Sequence, residues 1–394
     1  MKAAYIPVGA GGHILASLPM ITELVKKGVQ VDYYAPESFR KQVELTGANL
    51  MPFPEVTECY YGPYMGKEDF LAVIPLVFLG QAKEGLAAMD AQMKDNIPDV
   101  IIVDQLALAG RYLAKKYNLP MIMFHSTYTA NENFSISRFW PTYPDSSPAR
   151  TAAWKLAAEL AAEFGGPEIK CVADIFEGKG DYNIVTLSKT FHPAGETFGD
   201  EYFFAGAQIA PRAGDGTWTA PTNGKPLLYT SLGSLFNNWP EFYQMLFPVV
   251  KDMDINVLCS LGKVLKPEDL GEIPANVTTM AFTPQLEVLS KCDYFLTHAG
   301  TGSVMEALYF GVPSMCIPQM DEQVLTANRA KELGVASAVL LKPEVTEDTL
   351  RAALTELVNN PQYKANAKAM SDEMQAKGGC ERAAQAVIDY VNKK

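Results

Sequence analysis

Two sets of side chains in this chain pair a reactive group with room for a ligand. The first is His13, which closes the glycine-rich turn Gly9-Ala10-Gly11-Gly12. An imidazole at that turn can take a proton from an incoming hydroxyl. Asp104 ends the apolar run DVIIV, and a carboxylate beside the ring would orient it and stabilise the imidazolium that forms. Each residue also has a structural reading: His13 as a helix-capping surface residue, Asp104 as the cap of a helix that begins near Leu106. The second set follows the run DYFLT, where His298, Gly300, Thr301, Gly302 and Ser303 open a helix. The N–H groups of a helix start, its dipole and two hydroxyls suit an anion such as a diphosphate. One turn on, Glu306 can accept hydrogen bonds from sugar hydroxyls. A plain strand–helix turn is the alternative there.

A rival chemistry begins at the same first turn. Glycines between a strand and a helix also mark dinucleotide binding, which would make the protein a nicotinamide-dependent oxidoreductase. The pattern is incomplete, because the third glycine position holds Ile14 and Asp32 falls inside the second strand. The D-x-D of the chain, Asp252-Met253-Asp254, lies between a helix and a strand, where two solvated acids at a turn are expected rather than a metal site.

These groups need elements to position them. The apolar run 3–8 is followed by a helical pattern through Ile14, Leu18, Ile21, Leu24 and Val25. Strand-like runs recur at 29–34, 99–103, 120–124 and 182–187. Near-continuous apolar strands alternating with helices indicate a parallel sheet covered on both faces. Residues 206–224 are rich in Pro, Gly and Thr and read as a linker, after which strands resume at 226–231, 255–260, 277–281, 293–297, 313–317 and 336–341. Helices are expected at 238–251, 284–290, 302–309, 321–333, 346–358 and 380–392. The fold class is α/β, with two doubly wound, Rossmann-like parallel-sheet domains facing across a cleft. The expected boundaries are 1–205 for the first domain, 206–224 for the linker, 225–377 for the second domain, and 378–394 for a helix packing back toward the first domain.

Composition removes several classes. A length of 394 residues with 48% hydrophobic and 20% charged residues gives a folded chain of about two domains. A net charge of -12 without a basic stripe argues against nucleic acid as a partner. Six scattered cysteines, with no C-x-x-C pair, fit a reducing cytoplasm and neither zinc nor a disulfide framework. The start of the chain is expected to belong to the fold rather than to a signal peptide. The apolar stretch around 70–80, which contains Pro75, has about half the length of a spanning helix, so no membrane span is expected.

Residues 281–328, with GGHILASLP, Asp104, SKTFHP (188–193) and TSLGS (230–234), resemble the family 1 glycosyltransferases, nucleotide-sugar-dependent enzymes of the GT-B fold, and most of all the bacterial macrolide and flavonoid branch. The resemblance covers nearly the whole chain. It implies that Phe282 stacks the nucleobase, Gln285 lies against the nucleoside, and His298 with Gly300, Thr301, Gly302 and Ser303 holds the diphosphate. Glu306 would bind the ribose, Asp321, Glu322 and Gln323 the sugar hydroxyls, and the loop Ser231, Gly233, Ser234 would approach the phosphates. His13 would deprotonate the acceptor with Asp104 in support. The chain departs from the family at Leu15-Ala16, where an Asn-Pro pair is frequent, and at Ala299 and Gly302, where many plant members carry Cys and Asn.

The expected reaction is inverting transfer of a sugar, glucose foremost, from a UDP-sugar co-substrate to a hydroxyl of an apolar small molecule, with no metal or other cofactor. A sugar-nucleotide epimerase or a non-catalytic binding protein on the same scaffold remains a third reading. Gly12, Phe70, Phe78 and His125 are the expected acceptor-side residues, although the aromatic positions in 53–90 fit a plain core equally well, and His192 is expected in an exposed loop. A monomer or weak dimer is expected.

Overall fold

The computed structural model describes all residues except 10, 55–56, 140–146, 211–217, 234–236 and 394. The chain divides into two compact units: Met1–Leu187, Ala194–Gln208 and Gly379–Lys394 form the first, Ser188–Pro193 and Ile209–Gly378 the second.

In the first unit seven strands form one sheet: β1 (Lys2–Ile6), β2 (Gln30–Pro36), β3 (Asn49–Phe53), β4 (Val100–Asp104), β5 (Met121–His125), β6 (Tyr182–Val185) and β7 (Tyr202–Phe204). Their order is β3-β2-β1-β4-β5-β6-β7, and every pairing is parallel. β1 and β4 are buried along nearly their whole length, which is why they read as unbroken apolar runs. The helices are α1 (Gly11–Lys26), α2 (Arg40–Glu44), α3 (Phe70–Met93), α4 (Leu108–Tyr117), α5 (Pro148–Phe164) and α6 (Val172–Phe176). The order of strands reverses between β1 and β4, and their adjacent carboxyl ends form the switch point where doubly wound sheets bind ligands.

α3 corrects the expectation of a short apolar stretch. It runs for 24 residues, enough by length and composition to cross a membrane, yet it is packed against α4, α5 and β3 and 56% of its most apolar part is buried. That is the environment of a core helix.

The second unit holds β8 (Leu227–Ser231), β9 (Asn256–Ser260), β10 (Val277–Met280), β11 (Tyr294–Thr297), β12 (Ser314–Cys316) and β13 (Ala336–Val339), again all parallel, in the order β10-β9-β8-β11-β12-β13. Its helices are α7 (Pro240–Lys251), α8 (Gln285–Leu289), α9 (Thr301–Tyr309), α10 (Asp321–Glu332), α11 (Glu347–Asn359) and α12 (Gln362–Lys377). One apolar layer joins Phe242, Leu246 and Leu354 to the sheet, and another joins Val288, Phe295 and Ala307. The switch point here lies between β8 and β11.

The last helix, α13 (Cys380–Asn392), belongs to the first unit. Its Ala383, Ala384 and Val387 share a core with Ile14, Ile21 and Leu24 of α1, and Tyr390 stacks on Tyr182 at 5.0 Å. The segment 188–193, which the sequence alone assigns to the first domain, clusters with the second unit. Arg329 of α10 holds it there, donating from Nε to the Phe191 carbonyl at 2.9 Å and from Nη2 to that of Thr190 at 2.8 Å. His192 sits in this held segment and is buried, not exposed, its N–H bonded to the Ser188 carbonyl.

Candidate active site

At the first unit's switch point, β1 leads directly into α1 and places His13 as the third residue of that helix. β4 delivers Asp104 at its last position. His13 Nδ1 lies 2.9 Å from Asp104 Oδ2, and the carboxylate is fully buried while the ring is 23% exposed. A carboxylate can only accept, so Nδ1 carries the hydrogen and proton transfer falls to Nε2. The other oxygen, Oδ1, accepts from Leu106 N–H at 2.9 Å. Asp104 therefore closes a turn ahead of α4 and orients the imidazole at once; it is not the helix cap, since α4 begins at Leu108 with Ala107 at its N-cap and no side-chain cap.

Ser126 escapes the sequence reading. Its Oγ lies 2.9 Å from the same Nδ1, so the ring hydrogen has two acceptors. The signal was positional: Ser126 follows β5, the neighbour of β4, in a register that pairs Asp104 with Phe124. One turn after His13, Ser17 donates to the Ile14 carbonyl and meets Tyr33 OH at 2.8 Å, which pins the start of α1 to β2.

The acceptor-side expectations fare unevenly. Gly12 is exposed, with open space where a Cβ would stand. Phe70 opens α3 and is exposed, while Phe78 is half-buried with its ring edge-on to Phe176 at 5.6 Å. His125 departs from the expectation that it lines a pocket. It is the last residue of β5, in register with Val185, and the sheet encloses it completely; its Nε2 meets Asn183 Oδ1 at 3.1 Å. Burial pushes its pKa down to about 4, so it is a neutral core histidine. Asp32 is similarly committed: Lys2 Nζ lies 2.7 Å from its carboxylate and Asn49 donates to it, which removes the acid that the dinucleotide reading needs.

At the second unit's switch point the loops after β8 and β11 meet. His298 N–H reaches the Ser231 carbonyl at 3.3 Å, and Ser231 Oγ accepts from Gly233 N–H at 3.4 Å. The His298 ring lies in a gap that only glycines leave open: a Cβ on Gly233, at φ +80°, or on Gly300 would come within 2.6 Å of Nε2. Burial pushes the His298 pKa down to about 4, so this imidazole offers a hydrogen bond rather than a charge. Among the described residues its Nδ1 has no hydrogen-bond partner. Ala299 adopts a left-handed φ of 61°, a conformation unfavourable for alanine, to turn β11 into α9. Gly300 brings no side-chain cap to α9, so no cap side chain occupies the first-turn N–H groups, and a Cβ at Gly302 would meet open space. Ser234 lies outside the described residues.

Around that helix start the donor-side residues form a connected set. Gln285 Nε2 donates to Glu306 Oε2 at 2.7 Å and lies 3.4 Å from Ser303 Oγ. Tyr229 OH bonds Thr283 Oγ1 at 2.6 Å and donates to Gln285 Oε1 at 3.3 Å, which fixes the amide's orientation. Thr301 Oγ1 donates to Glu322 Oε1 at 2.7 Å, so this hydroxyl serves a carboxylate of α10. Asp321 begins α10, and Gln323 Oε1 accepts from Gln319 N–H. Phe282 is 59% exposed and borders a cavity of about 300 Å³ together with Gly262, Lys263 and Lys266, residues that the sequence reading did not single out. Asp254 pairs with Lys225 at the surface, as a solvated acid does. Among the described residues no group of three or more His, Cys, Asp or Glu is placed to hold a metal ion.

The NDP-glycosyltransferase YjiC of Bacillus subtilis (strain 168) is 35% identical to this chain over 98% of it and 97% of the relative. The chain belongs to the family 1 glycosyltransferases. This glycosyltransferase is also 30% identical to the demethyllactenocin mycarosyltransferase of Streptomyces fradiae, over 98% of the chain and 85% of the relative. Its residues 244–389 match the C-terminal domain of the erythromycin biosynthesis protein CIII-like family. Among solved structures it is similar to the calicheamicin glycosyltransferase CalG4, with a TM-score of 0.85, 27% identity and coverage of 99% and 98% of the two chains. The fold of this glycosyltransferase is GT-B, and its activity is transfer of a sugar.

Proposed function

We propose that this enzyme moves a sugar, glucose foremost, from UDP to a hydroxyl of an apolar small molecule, a polyphenol or macrolide, with inversion at the anomeric carbon. The observation that carries the reading is the His13–Asp104 pair at a ligand-binding switch point. His13 Nε2 takes the acceptor proton while Asp104 stabilises the imidazolium through Nδ1–H. The oxygen attacks the anomeric carbon from the face opposite the diphosphate, and the bond to the leaving oxygen breaks as negative charge grows on the diphosphate.

The α9 start and His298 take up that charge with fixed N–H dipoles. Phe282 presents a face for the nucleobase, the Gln285–Glu306 pair an acceptor for ribose hydroxyls, and Glu322 and Gln323 acceptors for the sugar. The proposed scheme uses no divalent cation and no cofactor beyond the donor, and the proposal takes the enzyme to be cytoplasmic and a monomer or weak dimer. Gly12, Phe70 and Phe78 are its acceptor-side residues.

A screen of nucleotide sugars against phenols, macrolides and other alcohols, read by product mass and diphosphate release with and without EDTA, tests it. UDP-glucose turnover that survives EDTA, with a product of inverted anomeric configuration by NMR, is expected. Turnover of a different nucleotide donor alone, or retention of configuration, would contradict it.

A further inference from the structure

Behind the His13–Asp104 pair lies a charged group that this scheme does not use. Arg111 of α4 is buried, 7% exposed. Its guanidinium ends on main-chain carbonyls: Nη1 donates to Asp174 at 2.6 Å, and Nη2 donates to Ile175 at 2.7 Å and to Gln105, the residue after Asp104. Among the described residues Nε has no hydrogen-bond partner. A buried cation bonded only to neutral carbonyls is costly unless an opposite charge lies close by, and Asp104 is the fully buried anion on the other side of the Gln105 peptide.

We propose that Arg111 is a positioning residue for the proton transfer: it clamps the Gln105–Leu106 peptide, whose N–H bonds Asp104 Oδ1, and its charge acts through Asp104 on the basicity of His13. The inference rests on His13 being the base. Asp104 is faced by His13 of α1, Tyr5 of β1, Tyr33 of β2, His125 of β5 and Arg111 of α4. Burial raises both tyrosine pKa values and keeps those groups neutral, and it keeps His125 neutral by the opposite shift. Arg111 is pushed down to about 10, still protonated at neutral pH, so among these groups it supplies the cation. Asp174 of α6, which also faces Arg111, spends its carboxylate on the N–H groups of Lys170 and Cys171. The competing role is structural, a guanidinium capping the carbonyls of α6 and nothing more.

Titration of the His13 imidazole by NMR separates the two. The chain has four histidines, so comparison with His13→Ala assigns the signal, and no substrate is needed. Removing a nearby cation favours the imidazolium, so Arg111→Gln should raise the His13 pKa by about half a unit or more. Arg111→Lys, which keeps the charge, should leave it near the wild-type value, and the acid limb of kcat/KM should follow in both. His13 titrating in Arg111→Gln as it does in the wild type overturns the proposal. Should Arg111→Gln fail to fold, Asp104→Asn carries the test with Arg111 intact. With the anion gone, His13 should then titrate below its ordinary value of about 6.5, and titration at or above that value overturns the proposal. A failure of glycosyl transfer would leave this readout untouched, so the two ideas fail separately.

Discussion

His13 Nδ1 and Asp104 Oδ2 stand 2.9 Å apart although 91 positions separate them in the chain. The contact exists because β1 and β4 are parallel neighbours, in register from Ala3 opposite Val100 to Ile6 opposite Val103, so their loops leave the sheet side by side. Replacing the carboxylate leaves the ring in place but removes the group that fixes its tautomer. Asp104→Asn should lower kcat/KM by about 10²- to 10⁴-fold, checked by initial rates at a temperature where wild type and variant are both fully folded.

Ser126 shares the same ring nitrogen but brings no charge. With Asp104 present, Ser126→Ala should change kcat by less than about tenfold, since a neutral hydrogen bond contributes about 1 kcal/mol. A loss as deep as that of Asp104→Asn would assign the serine an equal role.

The glycines around His298 make a steric prediction. A methyl group at Gly233 or Gly300 would stand 2.6 Å from Nε2, and Gly233 also needs its positive φ. Gly233→Ala and Gly300→Ala should raise KM for the nucleotide sugar by more than about tenfold, while the acceptor KM stays close to wild type. Isothermal titration with the free nucleoside diphosphate reads the same loss directly.

Thr301 gives up its hydroxyl to Glu322, which ties the start of α9 to the start of α10. Thr301→Val keeps the shape and removes the bond. It should weaken donor use by about fivefold, the equivalent of about 1 kcal/mol, with the loss in KM for the sugar nucleotide rather than in acceptor use.

The buried histidines set an acid limit on stability. His125 and His298 are held down to about 4 in the folded chain, whereas in the unfolded chain they titrate near the ordinary 6.5. Between these values the unfolded state binds more protons, so stability is full above about pH 6.5 and falls as pH drops toward 4. For His125 the full loss is on the order of 3 kcal/mol. Urea midpoints measured at steps from pH 7 to 4.5 should fall steadily, and the slope should be shallower in His125→Gln.

Much of this arrangement was legible in the sequence because parallel sheets bury their strands on both faces, and runs such as 99–103 and 293–297 cannot be mistaken for amphipathic helices. The same property hid other features. β3 and β7 are short edge strands with exposed or half-exposed positions and carry no comparable signal. His125 read as a pocket residue because a strand end looks the same in sequence whether its side chain turns into the core or out of it. Ser126 and Arg111 act through long-range neighbours, Ser126 across 113 positions, and no local pattern marks such a partner. Thr301 was legible as a hydroxyl at a helix start, yet its partner Glu322 lies on another helix, so its direction had to come from the fold.

The central claim is that His13 is the base of sugar transfer, and single-turnover measurement of wild type against His13→Ala tests it most directly. With UDP-glucose and a phenol acceptor at saturation, the variant should bind the donor with unchanged affinity and form glycoside at least about 10³-fold more slowly. A variant that binds the donor equally well and forms glycoside at the wild-type rate would contradict the account.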